Sequence, residues 1–258
     1  MSAPTAHNYR TGRVVGLAGT AALGGFLFGF DSAVINGAAS AIKSTFGLSS
    51  LALGFTVSIA LIGSAIGAWF AGMLAEKYGR RRVMLIAAAL FIAAALGQAF
   101  PFGIADLLVW RLIGGAGIGI ASVMAPMYIA EIAPAQLRGR LGSMQQLAIV
   151  LGIFATGITN YLILEAAGGN STSAWLFGIA AWQWMFLIMV IPALVYGAFA
   201  LQLPESPRYL VEVGRFDEAA SVLKQVYTGD INPILNDIKA SLDGESRPSI
   251  KDLRGRKF

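Results

Sequence analysis

The chain has 258 residues, 56% of them hydrophobic and 13% charged, against about a quarter charged in soluble domains. That balance excludes a soluble globular protein. With no cysteine and a single histidine, His7, disulfides, thiolate chemistry and a metal-ligand cluster are excluded too, so neither an enzyme, a metal site nor a cofactor is expected.

Residues 1–13 read as a cytoplasmic N-terminal segment carrying Arg10 and Arg13. Six apolar stretches follow, at 14–36, 51–75, 83–100, 107–128, 141–164 and 182–203, each near the roughly 20 residues that a helix needs to cross a bilayer. The first is too long and glycine-rich for a cleaved signal peptide. It contains one charge, Asp31, and the fourth stretch contains one of opposite sign, Arg111. Charged side chains at bilayer depth cost several kcal/mol and are retained where they face a cavity, a partner or a transported ion. The two are expected to meet, either as a permanent ion pair fastening the first helix to the fourth or as a proton switch.

Gly63 and Gly67 in the second stretch, with Gly115, Gly117 and Gly119 in the fourth, predict close helix contacts, since small residues let backbones approach inside lipid. Of the 19 basic residues, all but Lys43 and Arg111 fall before the first stretch, in the second and fourth connections, or after the sixth. The positive-inside rule then puts both termini in the cytoplasm. The net charge of +5 is thus a topology signal, and no nucleic-acid partner is expected. Trp175, Trp182 and Trp184 are expected at the outer interface as an aromatic belt. Asn170-Ser171-Thr172 fits a glycosylation sequon, read as a chance match, because the absence of cysteine and the compact loops favour a bacterial inner membrane.

After Leu203 the chain turns polar. Pro204 and Pro207 stop the sixth helix, and Gly214 separates a short turn from the next helix. Two patterns, Phe216–Ala219–Leu223–Val226 and Ile231–Leu235–Ile238–Leu242, give apolar faces at helical period. Residues 204–246 are expected to form a cytoplasmic helical platform and 247–258 a basic, flexible tail.

Four motifs then carry a resemblance. Gly72-Met-Leu-Ala-Glu76-Lys-Tyr-Gly79-Arg80-Arg81-Arg82 resembles the loop between helices two and three of the major facilitator superfamily. Ile113 through Gly115, Gly117, Gly119, Tyr128 and Glu131 to Arg138 resembles the longer signature of its sugar porter branch. Pro204-Glu205-Ser206-Pro207-Arg208 resembles that branch's motif after helix six, and Gly24-Gly-Phe-Leu-Phe28-Gly-Phe30-Asp31 its first-helix motif. The helix-four and helix-six motifs weigh against a peptide or drug carrier of the same superfamily. The resemblance implies an all-α integral membrane fold of six transmembrane helices, arranged as two three-helix inverted repeats over residues 14–203, plus cytoplasmic helices.

It also implies roles. Asp31 takes up and releases the proton and Arg111 biases it, because burial and a nearby guanidinium act on a carboxyl in opposite senses. Phe28 and Gln146 contact a monosaccharide, a hexose or pentose, and Ile153 stands where some members carry a second Gln. Ordinary packing is an equal reading for Phe28. Glu76, Arg81, Glu131, Arg138, Glu205 and Arg208 form a cytoplasmic gating network, with Arg80 to Arg82 also serving orientation. Gln183 replaces a usual Arg, which is expected to weaken a contact at the outer end of helix six. The family's carriers have a second six-helix half, so the chain reads as the N-terminal half of a proton-coupled sugar carrier whose partners are a monosaccharide, a proton, the lipid bilayer and a second half. The alternative is a truncated or regulatory half that binds sugar or a partner without transport.

Overall fold

The computed structural model describes residues 8–244; the expectations for His7 and for the tail at 247–258 lie outside the described residues. The long helices are α1 (Thr11–Thr45), α2 (Ser50–Tyr78), α3 (Arg80–Ala99), α4 (Ile104–Ile132) and α5 (Ala135–Ala166), followed by α6 (Ala181–Leu187) and α7 (Val190–Gln202). The first five, and α6 with α7 together, are long and apolar enough to cross a membrane.

The helices run a few residues past the expected stretches, and two differences matter most. α1 continues well past 36, because Ala38, Ala41 and Ile42 extend its buried stripe at helical spacing. At about 1.5 Å per residue it outreaches the roughly 30 Å hydrocarbon core. The sixth span, expected unbroken, divides at Ile188 and Met189. Pro192 lacks the N–H that would bond the Ile188 carbonyl, and Ile191 N–H donates to it instead at 3.2 Å, tightening that turn.

Two glycine seams hold the bundle. Where α2 meets α4, a Cβ on Gly63 or Gly67 would collide with the carbonyl of Leu112 or Ala116, and one on Gly115 or Gly119 with that of Ala60 or Ser64. Where α1 meets α5, a Cβ on Gly29 would collide with the Ile149 carbonyl and one on Gly152 with that of Phe26. Exchanging α1 with α4 and α2 with α5 turns one seam into the other, as two related three-helix repeats require. Gly117 differs from its neighbours by facing α3, where Leu90 lies at ordinary contact distance.

Polar side chains of α5 fasten this frame. Thr156 Oγ1 donates to the Phe30 carbonyl at 3.2 Å and Asn160 Nδ2 to that of Val34 at 3.3 Å. Pro126 leaves the Ser122 carbonyl without its helical partner, and Gln145 Nε2 donates to it at 3.2 Å, as backbone satisfaction in lipid demands.

At one end of the bundle, α8 (Pro207–Glu212), capped by Ser206, and α9 (Phe216–Val226) are joined through Gly214 in the left-handed region at φ 77°; α10 (Asn232–Gly244) follows. The N-terminal segment joins this platform. Strand β1 (Asn8–Tyr9) pairs antiparallel with β2 (Tyr227–Thr228), and Arg13 Nη2 donates to Gln225 Oε1 at 2.8 Å.

The opposite end of the bundle corrects the aromatic belt for Trp182. Trp182 is buried, packed edge-on against Phe46 and Phe186. Trp184 remains half-buried, its Nε1 donating to the Leu176 carbonyl, with Trp175 edge-on beside it. Gln183 bridges two helices: its Oε1 caps the Ala180 N–H at 2.9 Å and its Nε2 donates to the Ala99 carbonyl at 2.7 Å.

Candidate functional site

The buried polar centre is assembled from four helices. Asp31 on α1 is fully buried and Arg111 on α4 is 2% exposed. Arg111 Nη1 stands 3.9 Å from Asp31 Oδ2, an ion-pair distance beyond hydrogen-bond reach. The guanidinium's hydrogen bonds go elsewhere, from Nη1 to Gln98 Oε1 of α3 and from Nη2 to the Val57 carbonyl of α2, both at 3.3 Å. Neither Asp31 oxygen has a partner in good hydrogen-bond geometry, the polar side chains beside the carboxylate being Arg111 and the Gln98 amide. Glycine at 114 makes the space: a Cβ there would stand 3.1 Å from Gln98 Nε2 and 3.7 Å from Asp31 Oδ1. The charges therefore meet as expected, but Gln98 stands beside them. Nothing in the hydrophobic pattern marks Gln98, since a lone amide near a helix end is common.

Phe28, Gln146 and Ile153 flank the α1–α5 seam. Phe28 is half-buried, Gln146 is exposed, and Ile153 is 47% exposed. Gln146 and Ile153, seven residues apart, share one face of α5. Its neighbour Gln145, not Gln146, is the buried amide. An apolar recess of about 410 Å³ lies on the other side of the seam, between α1, α5 and α7, lined by Leu23, Phe26, Phe30, Ala155 and Pro192 among others. None of the three expected sugar contacts lines it.

At the end of the bundle next to the α8–α9 platform, Arg80 is the central cation of a charge cluster, a residue the motif reading kept for orientation. It is 6% exposed on its side chain and grips Glu131, 11% exposed, through Nε to both oxygens (3.2 and 2.9 Å) and Nη2 to one (2.6 Å). Its Nη1 donates to the Ala75 carbonyl at the end of α2, and its plane lies 5.6 Å from the Tyr209 ring centre. Arg81 plays a different part: its backbone N–H meets Glu205 and its Nη2 donates to the Leu201 carbonyl at 2.5 Å.

Glu205 occupies the N-terminus of α3, where orphan N–H groups favour an anion. It accepts from Arg80 N–H at 2.8 Å and from Ser206 N–H at 2.9 Å. Gly79, at φ 84°, permits this, since a Cβ there would strike the Glu205 carboxylate. Tyr128 adds a hydroxyl donated to the Pro204 carbonyl at 2.9 Å. Arg80, Arg81, Glu131 and Glu205 are thus gathered at one place. Glu76 and Arg138 are exposed, Arg208 is half-buried on α8, and Arg138 acts electrostatically on Tyr227.

A bundle of six membrane-length helices with glycine seams related by repeat exchange, a buried charge pair between the first and fourth helices and a charge cluster at the end beside the platform is that of half a major facilitator transporter. The chain belongs to the sugar (and other) transporter family, whose model matches residues 17–257. It is 49% identical over 256 residues to a glucose transport protein of Synechocystis sp., covering 99% of this chain and 55% of that protein. It is 34% identical to the arabinose-proton symporter of Bacillus subtilis, covering 97% and 53%. Among solved structures, the proton:xylose symporter XylE bound to 6-bromo-6-deoxy-D-glucose is 35% identical with a TM-score of 0.84, covering 91% of this chain and 54% of that one. The part matched is the N-terminal half of the symporter. The chain spans about half the length of the curated relatives it matches.

Proposed function

We propose that the chain forms the N-terminal half of a carrier that moves a monosaccharide, a hexose or pentose, together with a proton across a bacterial cell membrane, with both termini in the cytoplasm. The observation that carries this reading is the carboxylate of Asp31, fully buried, 3.9 Å from a guanidinium and without a partner in good hydrogen-bond geometry. An intramembrane carboxyl held in this half-satisfied state changes its hold on a proton when the guanidinium moves by little. The names of the relatives, glucose, arabinose and xylose carriers with protons in several, supply the substrate class.

In this reading Asp31 accepts the proton and its neutralisation loosens the attraction that draws α4 towards α1. Gln146 offers the sugar hydroxyls a donor and an acceptor, Phe28 presents an aromatic face to C–H surfaces, and Ile153 closes that wall with hydrocarbon. The gating network of Glu76, Arg81, Glu131, Arg138, Glu205 and Arg208, with Arg80 added, holds the cytoplasmic ends together in one state and releases them in the other. A second six-helix half supplies the opposite wall of the sugar site.

The test is glucose uptake into proteoliposomes containing this chain together with the remaining half of the Synechocystis protein as a separate chain. Uptake should depend on an inward proton gradient and be lost in Asp31→Asn. Uptake indifferent to both the gradient and that substitution refutes proton coupling through Asp31.

A further inference from the structure

Gln98 lies at the C-terminal end of α3, fully buried. Trp110 of α4 sets its place: the indole packs where a side chain on Gly97 would stand, and Gln98 Nε2 makes a long hydrogen bond to the Trp110 carbonyl at 3.5 Å. Arg111 Nη1 therefore faces two acceptors, the amide oxygen at 3.3 Å and Asp31 Oδ2 at 3.9 Å, and its hydrogen bond goes to the neutral one. The groups packed around the carboxylate are Gln98 from α3, Arg111 from α4 and the bare backbone of Gly114; Arg111 is the charge that acts on it, and the Gln98 amide acts on it as a neutral neighbour.

A buried guanidinium cannot lose its carboxylate partner without another acceptor to take its place, since an uncompensated charge at that depth is strongly destabilising. We propose that Gln98 is the alternate acceptor of Arg111, a positioning residue that holds the guanidinium while Asp31 is neutral and yields it when the carboxylate is charged. This rests on the reading of Asp31 as the proton acceptor. It explains why the amide is anchored from its nitrogen side, leaving its oxygen turned to Arg111. It also explains why residue 114 is glycine, for the amide and the carboxylate stand side by side in the space that a methyl would narrow.

The test is a double-mutant cycle read by thermal unfolding of the full chain in lipid nanodiscs at neutral pH. With Asp31 present, Gln98→Leu should lower the midpoint modestly, because the carboxylate takes over the guanidinium. In the Asp31→Asn background the same change should lower it by roughly 5–10 °C more. Gln98→Glu should invert its sign, lowering the midpoint when Asp31 is present and raising it in the Asp31→Asn background, where it restores a carboxylate to Arg111. That second pair carries the test if the Leu double variant fails to fold. Equal costs in both backgrounds, or no rescue by Glu, mean that Gln98 merely packs, and overturn the proposal. A coupled cycle with proton-driven uptake that survives Asp31→Asn overturns the hand-over through the failure of the proton reading, which the cycle alone does not measure.

Discussion

Replacing Arg80 with methionine should cost about 2–4 kcal/mol. The substitution removes three hydrogen bonds to Glu131 and one to the Ala75 carbonyl, and leaves a carboxylate that is only 11% exposed without its cation. Breaking one side of such a buried pair costs about 3–5 kcal/mol; the methionine stem refills part of the space and returns about 1 kcal/mol. At about 2–4 °C per kcal/mol for a chain of this size, the thermal midpoint of the protein in nanodiscs should fall by roughly 4–16 °C. Arg81→Met should cost about 1 kcal/mol, because its backbone bond to Glu205 survives and only the side-chain bond to Leu201 is lost. Combining Arg80→Met with Glu131→Leu should recover much of the loss, since a buried pair replaced by hydrocarbon is often neutral. An Arg81→Met cost equal to that of Arg80→Met, or a double variant no better than the single, would refute the assignment of Arg80 as the central cation.

Gly63→Val and Gly115→Val should each destabilise by about 1–3 kcal/mol or more through overpacking of the α2–α4 seam, whereas Gly72→Ala, with nothing within 4 Å of its added methyl, should be near neutral; thermal midpoints compare them. Gln145→Leu should cost about 1–3 kcal/mol by orphaning the Ser122 carbonyl, and Pro126→Ala in that background should repair it by restoring an N–H, so a repair that fails in the same melt excludes the carbonyl as the cause. At the platform, burial raises the pKa of the Tyr227 hydroxyl, against a smaller lowering by Arg138. An unfolded chain then loses this proton first, so stability falls as pH rises above about 10. Tyr227→Phe should flatten that alkaline slope, and an unchanged slope would assign it to another group.

Membrane class, the six spans and the motif-bearing connections are legible in the sequence because hydrophobic length and basic loops are local, additive signals. The family, too, was readable from four motifs in order. Helix six shows the limit: Pro192 was visible, yet the break at Ile188 and Met189 follows from a carbonyl seeking a new donor, which run length does not register. Trp182 shows another, since an indole near a helix end suits an interface or a core equally until Phe46 and Phe186 are placed around it.

In the charge cluster, consecutive arginines look alike in one dimension. The helix turns about 100° per residue, so Arg80 points into Glu131 while Arg81 reaches the end of α7. The sequence by itself determined that this chain lives in a bilayer, how often it crosses, and that Asp31 and Arg111 carry charges there which demand an explanation. Only the tertiary structure decided which amide stands beside them and which arginine holds Glu131, because those facts depend on how four helices rotate about their axes, and the glycine seams fix that rotation through backbone contact.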